Sequence, residues 1–161
     1  MKNNWDKYSE SELNCLMKFA NSYKEFISNC KTERECTNYI INKVEENGFC
    51  NLNDINQLKA GDKIYVNNRG KSVALFVIGE ENIKEGINIL GAHIDSPRLD
   101  LKPHPLYEDG NLAYLDTHYY GGIKKYQWVT IPLAIHGVVV KKDGSKININ
   151  IGEDIDDPVF G

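Results

Sequence analysis

The 161-residue sequence lacks the features that mark nucleotide, redox or membrane chemistry. No apolar stretch approaches the roughly 20 residues that a membrane-spanning helix needs, and the opening residues MKNNWDKYSESE lack the apolar centre of a secretory signal. The four cysteines form no C-x-x-C pair, which disfavours a zinc finger or a redox motif. Neither a Walker loop nor a dinucleotide-binding fingerprint is present, and Ser96 has no glycine elbow around it. We therefore expect a cytoplasmic protein with reduced cysteines and no membrane partner.

Positive charge is also scarce. The sequence has 19 lysines and arginines against 23 acidic residues, a net charge of −4 and a pI near 5.6. Because no long-range positive field would gather phosphates, nucleic acid is not expected as a partner. The sequence does contain 41% hydrophobic and 26% charged residues, the composition of a globular protein with a core. Its length allows one domain, or one domain and part of another.

The first third of the chain predicts two amphipathic helices. Residues 9–29 begin with the capping box Ser9-x-x-Glu12, and residues 32–48 begin with a second box, Thr32 and Glu35, and end at Gly48, which suits a left-handed cap. Apolar residues at helical spacing predict one core-facing stripe in each helix. The first stripe is Leu13, Leu16, Met17, Ala20, Tyr23 and Ile27, and the second is Cys36, Tyr39, Ile40 and Val44.

Strand patterns follow after Gly61. The runs KIYV and SVALFVI flank NNRGK, whose asparagines and glycine suit positive φ, so residues 63–78 predict a hairpin or two neighbouring strands. VALFVI and INILGAHI, the latter at residues 87–94, are apolar on both alternating faces and predict strands covered on both sides. Two helices followed by such strands indicate a layered α/β domain.

The pattern changes past Pro97: alternating runs predict only strands from about Leu101 onward, the start of a second, all-β unit joined at a linker over residues 97–105. Within it, Asp143-Gly144 predicts a type I′ hairpin turn between two β-branched runs. GGIKKYQW resembles a surface for single-stranded nucleic acid, because it interleaves lysines with aromatic residues. The net charge of −4 for the whole chain disfavours nucleic-acid binding, so we expect a Gly-Gly turn leading into an amphipathic strand. The ending GEDIDDPVFG predicts either a frayed terminus or a chain cut in mid-course.

The stretch ILGAHIDSPRLDLKP, residues 89–103, carries the candidate chemistry. On a strand, His93 and Asp95 would project to the same face, at the carboxyl edge of a sheet where α/β proteins bind ligands. An imidazole with a nearby carboxylate suits a divalent metal, the acid orienting the ring. H-x-D also occurs by chance, so a hydrogen-bonded structural histidine is the alternative. We expect His104 to be exposed, and His118 and His136 to be packed or surface histidines.

Four segments resemble, in order, landmarks in the amino-terminal part of the aspartyl-aminopeptidase family, metallopeptidase family eighteen. These segments are GAHIDSPRLDLKP, THYYGGIKKYQW, IPLAIHGVV and IGEDIDDPVF. The resemblance covers the whole chain, is most specific over residues 89–160, and is closest to the bacterial, clostridial-type branch of probable aminopeptidases.

The resemblance implies a cytoplasmic zinc exopeptidase that removes amino-terminal residues from peptide substrates, and the family name suggests acidic residues. It implies an α/β fold, a partial α/β/α sandwich over residues 1–100 with the start of an inserted all-β domain over 101–161. That inserted domain makes oligomer contacts, and the family forms homododecamers. A complete site holds two zinc ions. By this resemblance His93 is a metal ligand and Asp95 is the catalytic-site residue that orients it.

The family's other metal ligands and its general base lie downstream of the inserted domain, so this sequence supplies only one ligand. We expect the chain to be an amino-terminal portion of an aminopeptidase that is inactive alone, because catalytic zinc sites use three protein ligands. The alternative is a non-catalytic module, derived from such a peptidase, that keeps the β unit for self-association or partner binding.

Overall fold

A computed structural model describes residues 3–161 of the chain. The chain divides into two compact units, whose described parts are residues 3–94 and Asp95–Gly161. Both helices longer than one turn lie in the first unit, and each unit contains its own small β-sheets, so the chain belongs to the mixed α/β class. Over the described range, no helix is both long and apolar enough to cross a membrane.

The two predicted helices are confirmed as α1 (Glu10–Asn29) and α2 (Glu33–Glu45). Both capping boxes form, because the Ser9 and Thr32 side chains each accept a backbone N–H three residues later while that residue's glutamate returns to the cap. Gly48 has φ +82°, and its N–H bonds the Glu45 carbonyl to end α2. The local sequence therefore sets where both helices begin and where the second one ends.

The first unit has a three-stranded sheet of β1 (Cys50–Asn51), β2 (Lys63–Asn68) and β3 (Ser72–Val77). β2 is central, parallel to β1 and antiparallel to β3. The predicted hairpin over 63–78 is confirmed, although positive φ falls on Arg69 and Gly70 and not on the asparagines. Asn67 contributes instead through its side-chain oxygen, which accepts the Gly70 N–H at 2.7 Å.

Few described side chains of the first unit are buried. They cluster where α2 meets β2 and where α1 turns into α2: Cys30, Cys36, Thr37, Ile64 and Tyr65. The rings of Phe26 and Tyr39 pack α1 on α2 with centroids 5.2 Å apart. Tyr65 donates its hydroxyl to Glu45 at 2.5 Å, which fixes the end of α2 on the sheet and raises the pKa of Tyr65.

Much of the predicted core surface is exposed. In the α1 stripe Leu13, Leu16 and Ala20 are half-buried, whereas Met17, Tyr23 and Ile27 are exposed. The prediction that VALFVI is covered on both sides is wrong for this chain, because Leu75, Phe76 and Val77 are all exposed. Side chains of a strand point to the two faces of its sheet, and the described residues do not cover both faces of β3.

The second unit consists mainly of two antiparallel hairpins. β4 (Arg98–Asp109) pairs with β5 (Leu112–Tyr120), and β6 (Ile135–Val140) pairs with β7 (Lys146–Ile151). The stretch expected as a linker is part of β4, which tolerates its prolines because the register shifts between Leu101 and Leu106.

Two further predictions in this unit are wrong. GGIKKYQW does not enter a strand but forms one helical turn, α3 (Lys125–Trp128), in which the Gln127 and Trp128 N–H groups both bond the Lys124 carbonyl. The β6–β7 loop is not a type I′ turn, since positive φ in residues 141–145 falls on Gly144 alone. The Asp143 carboxylate instead accepts the Ser145 N–H and hydroxyl, at 2.9 and 2.6 Å.

Candidate metal-site residues

Asp95 lies at the start of the second unit, beside the open end of the β4–β5 hairpin. It is half-buried, and its Oδ2 accepts a hydrogen bond from the Tyr120 hydroxyl at 2.8 Å. Tyr120 is the last residue of β5 and pairs in register with Arg98, the first residue of β4. The hairpin pairing therefore brings residues 25 positions apart into contact and gives the carboxylate a fixed partner.

Arg98 organises the same end of the hairpin. Its guanidinium carbon lies 4.0 Å from the centroid of the Tyr120 ring, and its Nε donates to Asp100 Oδ1 at 2.7 Å. Nη1 of Arg98 also lies 3.5 Å from the Ser96 carbonyl oxygen, a long contact. A planar guanidinium stacks on an aromatic face and pairs with a carboxylate simultaneously, which a lysine does not do.

His93 lies at the end of the first unit and is exposed. The strand predicted over 87–94 is wrong for this chain, because residues 86–97 contain neither helix nor strand. Ile89 is 78% exposed and Leu90 is fully exposed at 101%. A strand requires a hydrogen-bonded neighbour, and among the described residues the sheet of this unit contains only β1, β2 and β3.

The other histidines differ in their surroundings. His104 is exposed in β4, as expected, and His118 is exposed on β5 with its ring 5.2 Å from that of Tyr119. His136 has a carboxylate neighbour: its Nε2 lies 2.9 Å from Glu153 Oε1, and its side chain is only 9% exposed. The sequence showed no carboxylate at ligand spacing because Glu153 lies 17 residues away, across the β6–β7 pair.

The acidic segment near the end of the second unit is ordered by hydrogen bonds and not frayed. The Asp157 carboxylate accepts the N–H groups of Gly152 and Asp154 at 2.7 and 3.3 Å, and these bonds lower the pKa of Asp157. Leu133 and Phe160 form an antiparallel bridge beyond it. The acids thus close a turn and do not converge on a ligand.

The cysteines match their predicted reduced state. All four are free, with Cys15 and Cys50 exposed and Cys30 and Cys36 buried. Burial, and then the neighbouring Cys36 thiol, raises the pKa of Cys30 to about 11. Because the thiolate is the reactive and metal-binding form, a thiol with a raised pKa favours a structural role.

The donor chemistry of His93 and Asp95 fits a zinc ligand and its orienting acceptor, since zinc binds neutral imidazole and the second ring nitrogen normally donates to a carboxylate. Among residues 3–161, however, no three His, Cys, Asp or Glu side chains converge to form a cage for a metal ion. A catalytic zinc uses three protein ligands. The described residues therefore fit one part of such a site and do not make a complete one.

Comparison with known proteins gives the family. Residues 26–161 match the family described as aminopeptidase I zinc metalloprotease (M18). "Probable M18 family aminopeptidase 1" of Clostridium acetobutylicum is 60% identical over 164 residues, covering 99% of this chain and 35% of the relative. The crystal structure of aminopeptidase I from Borrelia burgdorferi B31 matches with a TM-score of 0.94 at 49% identity, covering 99% of this chain and 39% of that chain.

The crystal structure of aminopeptidase I from Clostridium acetobutylicum also matches, with a TM-score of 0.85 at 60% identity. It is covered to 36%, so the chain spans little more than a third of the length of the relatives it matches. The match to the family covers most of the chain, including the H-x-D segment. The chain therefore belongs to the M18 family of zinc metalloproteases, the aminopeptidase I family.

Proposed function

We propose that the complete protein is a zinc-dependent aminopeptidase that removes amino-terminal residues from peptides. In this proposal these 161 residues supply one zinc ligand and the residue that orients it. The observation that carries the proposal is the family match over residues 26–161, together with 60% identity to a relative named as an M18 aminopeptidase. A preference for acidic amino-terminal residues belongs to this proposal as well.

In this proposal His93 is a zinc ligand and Asp95 is the acceptor that orients its ring. Two features support these roles: His93 is open to solvent, and the Asp95 carboxylate is held by Tyr120 at 2.8 Å. An acceptor on the second ring nitrogen fixes the tautomer and raises the basicity of the ligating nitrogen. When bound, zinc would lower the pKa of a water molecule and polarise the scissile carbonyl.

The other ligands and the general base are proposed to come from sequence beyond these 161 residues, in a site with two zinc ions. The 161-residue chain is then inactive alone, because it supplies one ligand where a catalytic zinc uses three. The exposed apolar surface of α1, β3 and residues 87–90 supports an incomplete α/β/α sandwich, since such a surface is normally covered.

The second unit is proposed as the start of an inserted β domain that mediates contacts in a cytoplasmic homo-oligomer, a dodecamer as in the resembled family. Large apolar side chains exposed on β4, β5 and the segments near α3 support this role: Leu106, Tyr107, Leu112, Tyr126 and Val129. Native mass spectrometry of the complete protein tests this part. Particles of twelve subunits support it, and a monomer at micromolar concentration contradicts it.

The function is tested on protein expressed from the complete reading frame, with His93→Ala compared to His104→Ala. Both histidines are exposed, so neither substitution opens a cavity, and His104 serves as the matched control. Zinc content is measured by plasma mass spectrometry, and activity by release of p-nitroaniline from a panel of aminoacyl p-nitroanilides. Loss of the His93 ligand is expected to lower kcat/KM by at least about 100-fold. Removing a residue that only orients a metal ligand already costs about 10- to 100-fold in metal affinity or activity.

Wild-type protein and the His104→Ala variant should carry zinc and differ by less than about 2-fold in kcat/KM. Equal zinc content and activity in the His93→Ala variant would remove His93 from the site. If the wild-type protein binds no zinc and releases no amino-terminal residue, yet still self-associates, the alternative of a non-catalytic association module replaces the peptidase proposal.

A further inference from the structure

We propose that Tyr120 is a positioning residue for the metal site: its hydroxyl holds the Asp95 carboxylate, the group that orients the His93 imidazole in the proposed function. The inference rests on the proposed function, because it gives Tyr120 a role only if His93 binds zinc. It adds a residue that lies 27 positions from His93 in sequence, at the end of β5.

The contact between Tyr120 and Asp95 has the distance of an ordinary O–H···O hydrogen bond. The Oη to Oδ2 distance is 2.8 Å, and the acceptor is half-buried. Hydrogen bonds to an ionised acceptor are roughly twice as strong as those between neutral groups. A carboxylate offers about four lone-pair sites, so accepting the phenol hydroxyl is compatible with accepting an imidazole N–H as well.

The Tyr120 ring is itself held in place, so its hydroxyl is a fixed donor. The Arg98 guanidinium lies 4.0 Å from the ring centroid, and Asp100 fixes that guanidinium through the 2.7 Å bond to Nε. Arg98 and Tyr120 are also register partners across β4 and β5. The ring is thus fixed by its strand on one side and by a charge-paired guanidinium on its face.

The consequence for zinc binding is geometric. Asp95 carries no regular secondary structure of its own, since residues 86–97 lie outside helices and strands. Its orientation must therefore come from side-chain contacts, and the contact with Tyr120 ties it to the more regular β4–β5 hairpin. Metal sites tolerate errors of only about 0.5 Å in ligand placement, so loosening Asp95 should weaken zinc binding at His93.

Tyr120→Phe in the complete protein tests the inference, because it removes the hydroxyl and keeps the ring under Arg98. Tyr114→Phe is the matched control: Tyr114 is in the same strand, and its ring stacks on Tyr107 with centroids 5.3 Å apart, a contact that phenylalanine keeps. The readouts are the apparent zinc affinity of the apoprotein by competition with a colorimetric chelator, and kcat/KM. Each is measured with and without Asp95→Ala, as a double-mutant cycle.

Tyr120→Phe is expected to weaken zinc binding and lower kcat/KM by roughly 10-fold, at the low end of the range for residues that support a metal ligand. In the Asp95→Ala background the same change should have less than about a 2-fold effect, because Tyr120 acts through Asp95. Tyr114→Phe should match wild type in both backgrounds.

Wild-type zinc affinity and activity in Tyr120→Phe would overturn the positioning role and leave the proposed function standing. An equal loss in the Asp95→Ala background would also overturn it, since Tyr120 would then act by another route. If circular dichroism shows that Tyr120→Phe folds poorly, Arg98→Lys is used in its place. Its effect on zinc affinity is then expected to be smaller in the Asp95→Ala background than in the wild-type background. Losses that simply add would overturn the inference. If the wild-type apoprotein does not take up zinc, the proposed function fails and the positioning role falls with it.

Discussion

Thr37→Val should stabilise the chain. Thr37 lies in α2 with 0% of its surface exposed, and its hydroxyl has no hydrogen-bond partner among the described residues. A buried hydroxyl without a partner loses its bonds to water and gains nothing in return. Valine has nearly the same shape and a helix propensity close to that of threonine, so the substitution removes the unpaired group and changes the packing around this position little.

The magnitude follows from the desolvation of one hydroxyl. Leaving a buried polar group unpaired costs about 1–3 kcal/mol, and the added methyl group is worth about 0.8 kcal/mol of apolar burial. We expect Thr37→Val to raise the free energy of unfolding by about 1–3 kcal/mol. Thr37→Ser is the matched comparison, because it keeps the unpaired hydroxyl and deletes the buried methyl group, and should cost about 1 kcal/mol.

Urea unfolding followed by the helical circular dichroism signal measures both variants. The urea midpoint should rise for Thr37→Val and fall for Thr37→Ser, while the slope of the unfolding free energy against urea concentration stays unchanged. A fall in stability for Thr37→Val comparable to that of Thr37→Ser would refute the reasoning, since it would mean that the hydroxyl is hydrogen-bonded in the folded chain.

Two further predictions concern pH and backbone strain. Because the folded state raises the pKa of Cys30 from 9.0 to about 11, mainly by burial and next through Cys36, it holds this proton more tightly than the unfolded state does. The contribution of the Cys30 thiol to stability is complete below pH 9 and falls as the pH rises toward 11. Over this pH range the urea midpoint should fall less steeply for Cys30→Ser than for wild type or for the control Cys15→Ser. Equal slopes for the three proteins would contradict this prediction. Gly152 has φ +104°, and a Cβ there would lie 3.0 Å from a backbone atom of Ala134, whereas Gly144 at φ +83° has open space. Gly152→Ala should therefore lower the thermal midpoint clearly more than Gly144→Ala. The Gly144→Ala variant pays only the cost of about 1–2 kcal/mol for placing an L-residue in the left-handed region. Equal shifts in the two variants would contradict the close contact at Gly152.

The helices were predictable because their signals are local. Ser9 with Glu12, and Thr32 with Glu35, each satisfy orphan N–H groups within one helical turn, so no distant part of the chain decides where α1 and α2 begin. The β2–β3 and β6–β7 hairpins were predictable for a similar reason, since a short loop joins each pair. The exact turn was not, because the side chain of Asp143 bonds Ser145 instead of the backbone adopting positive φ at both positions.

The strand predicted over 87–94 was wrong for a non-local reason. Its apolar pattern is suited to a strand covered on both sides, yet Ile87, Ile89 and Leu90 are exposed, and no neighbouring strand pairs with this segment within residues 3–161. Periodicity reports what a segment can bury; pairing depends on which other strands are present. β3 has exposed side chains on both faces for a related reason: the elements that would cover both faces are not among the described residues.

The candidate site was predicted only in its local part. H-x-D places His93 and Asp95 two residues apart in sequence, which is visible without a structure. Tyr120 was missed because its contact with Asp95 depends on the register of β4 and β5. The hairpin itself was visible, because EDGNL places Gly110 and Asn111, both with positive φ, at its turn. Counting back from that turn without interruption would pair Tyr120 with Leu101, and only the register shift between Leu101 and Leu106 pairs it with Arg98.

The most direct test of the metal role is a crystal structure of the complete, zinc-loaded protein with anomalous data at the zinc absorption edge. The account predicts an anomalous peak about 2.0–2.1 Å from one ring nitrogen of His93, with the Asp95 carboxylate accepting the other ring N–H and the Tyr120 hydroxyl. Zinc bound by a set of ligands that excludes His93 would contradict it.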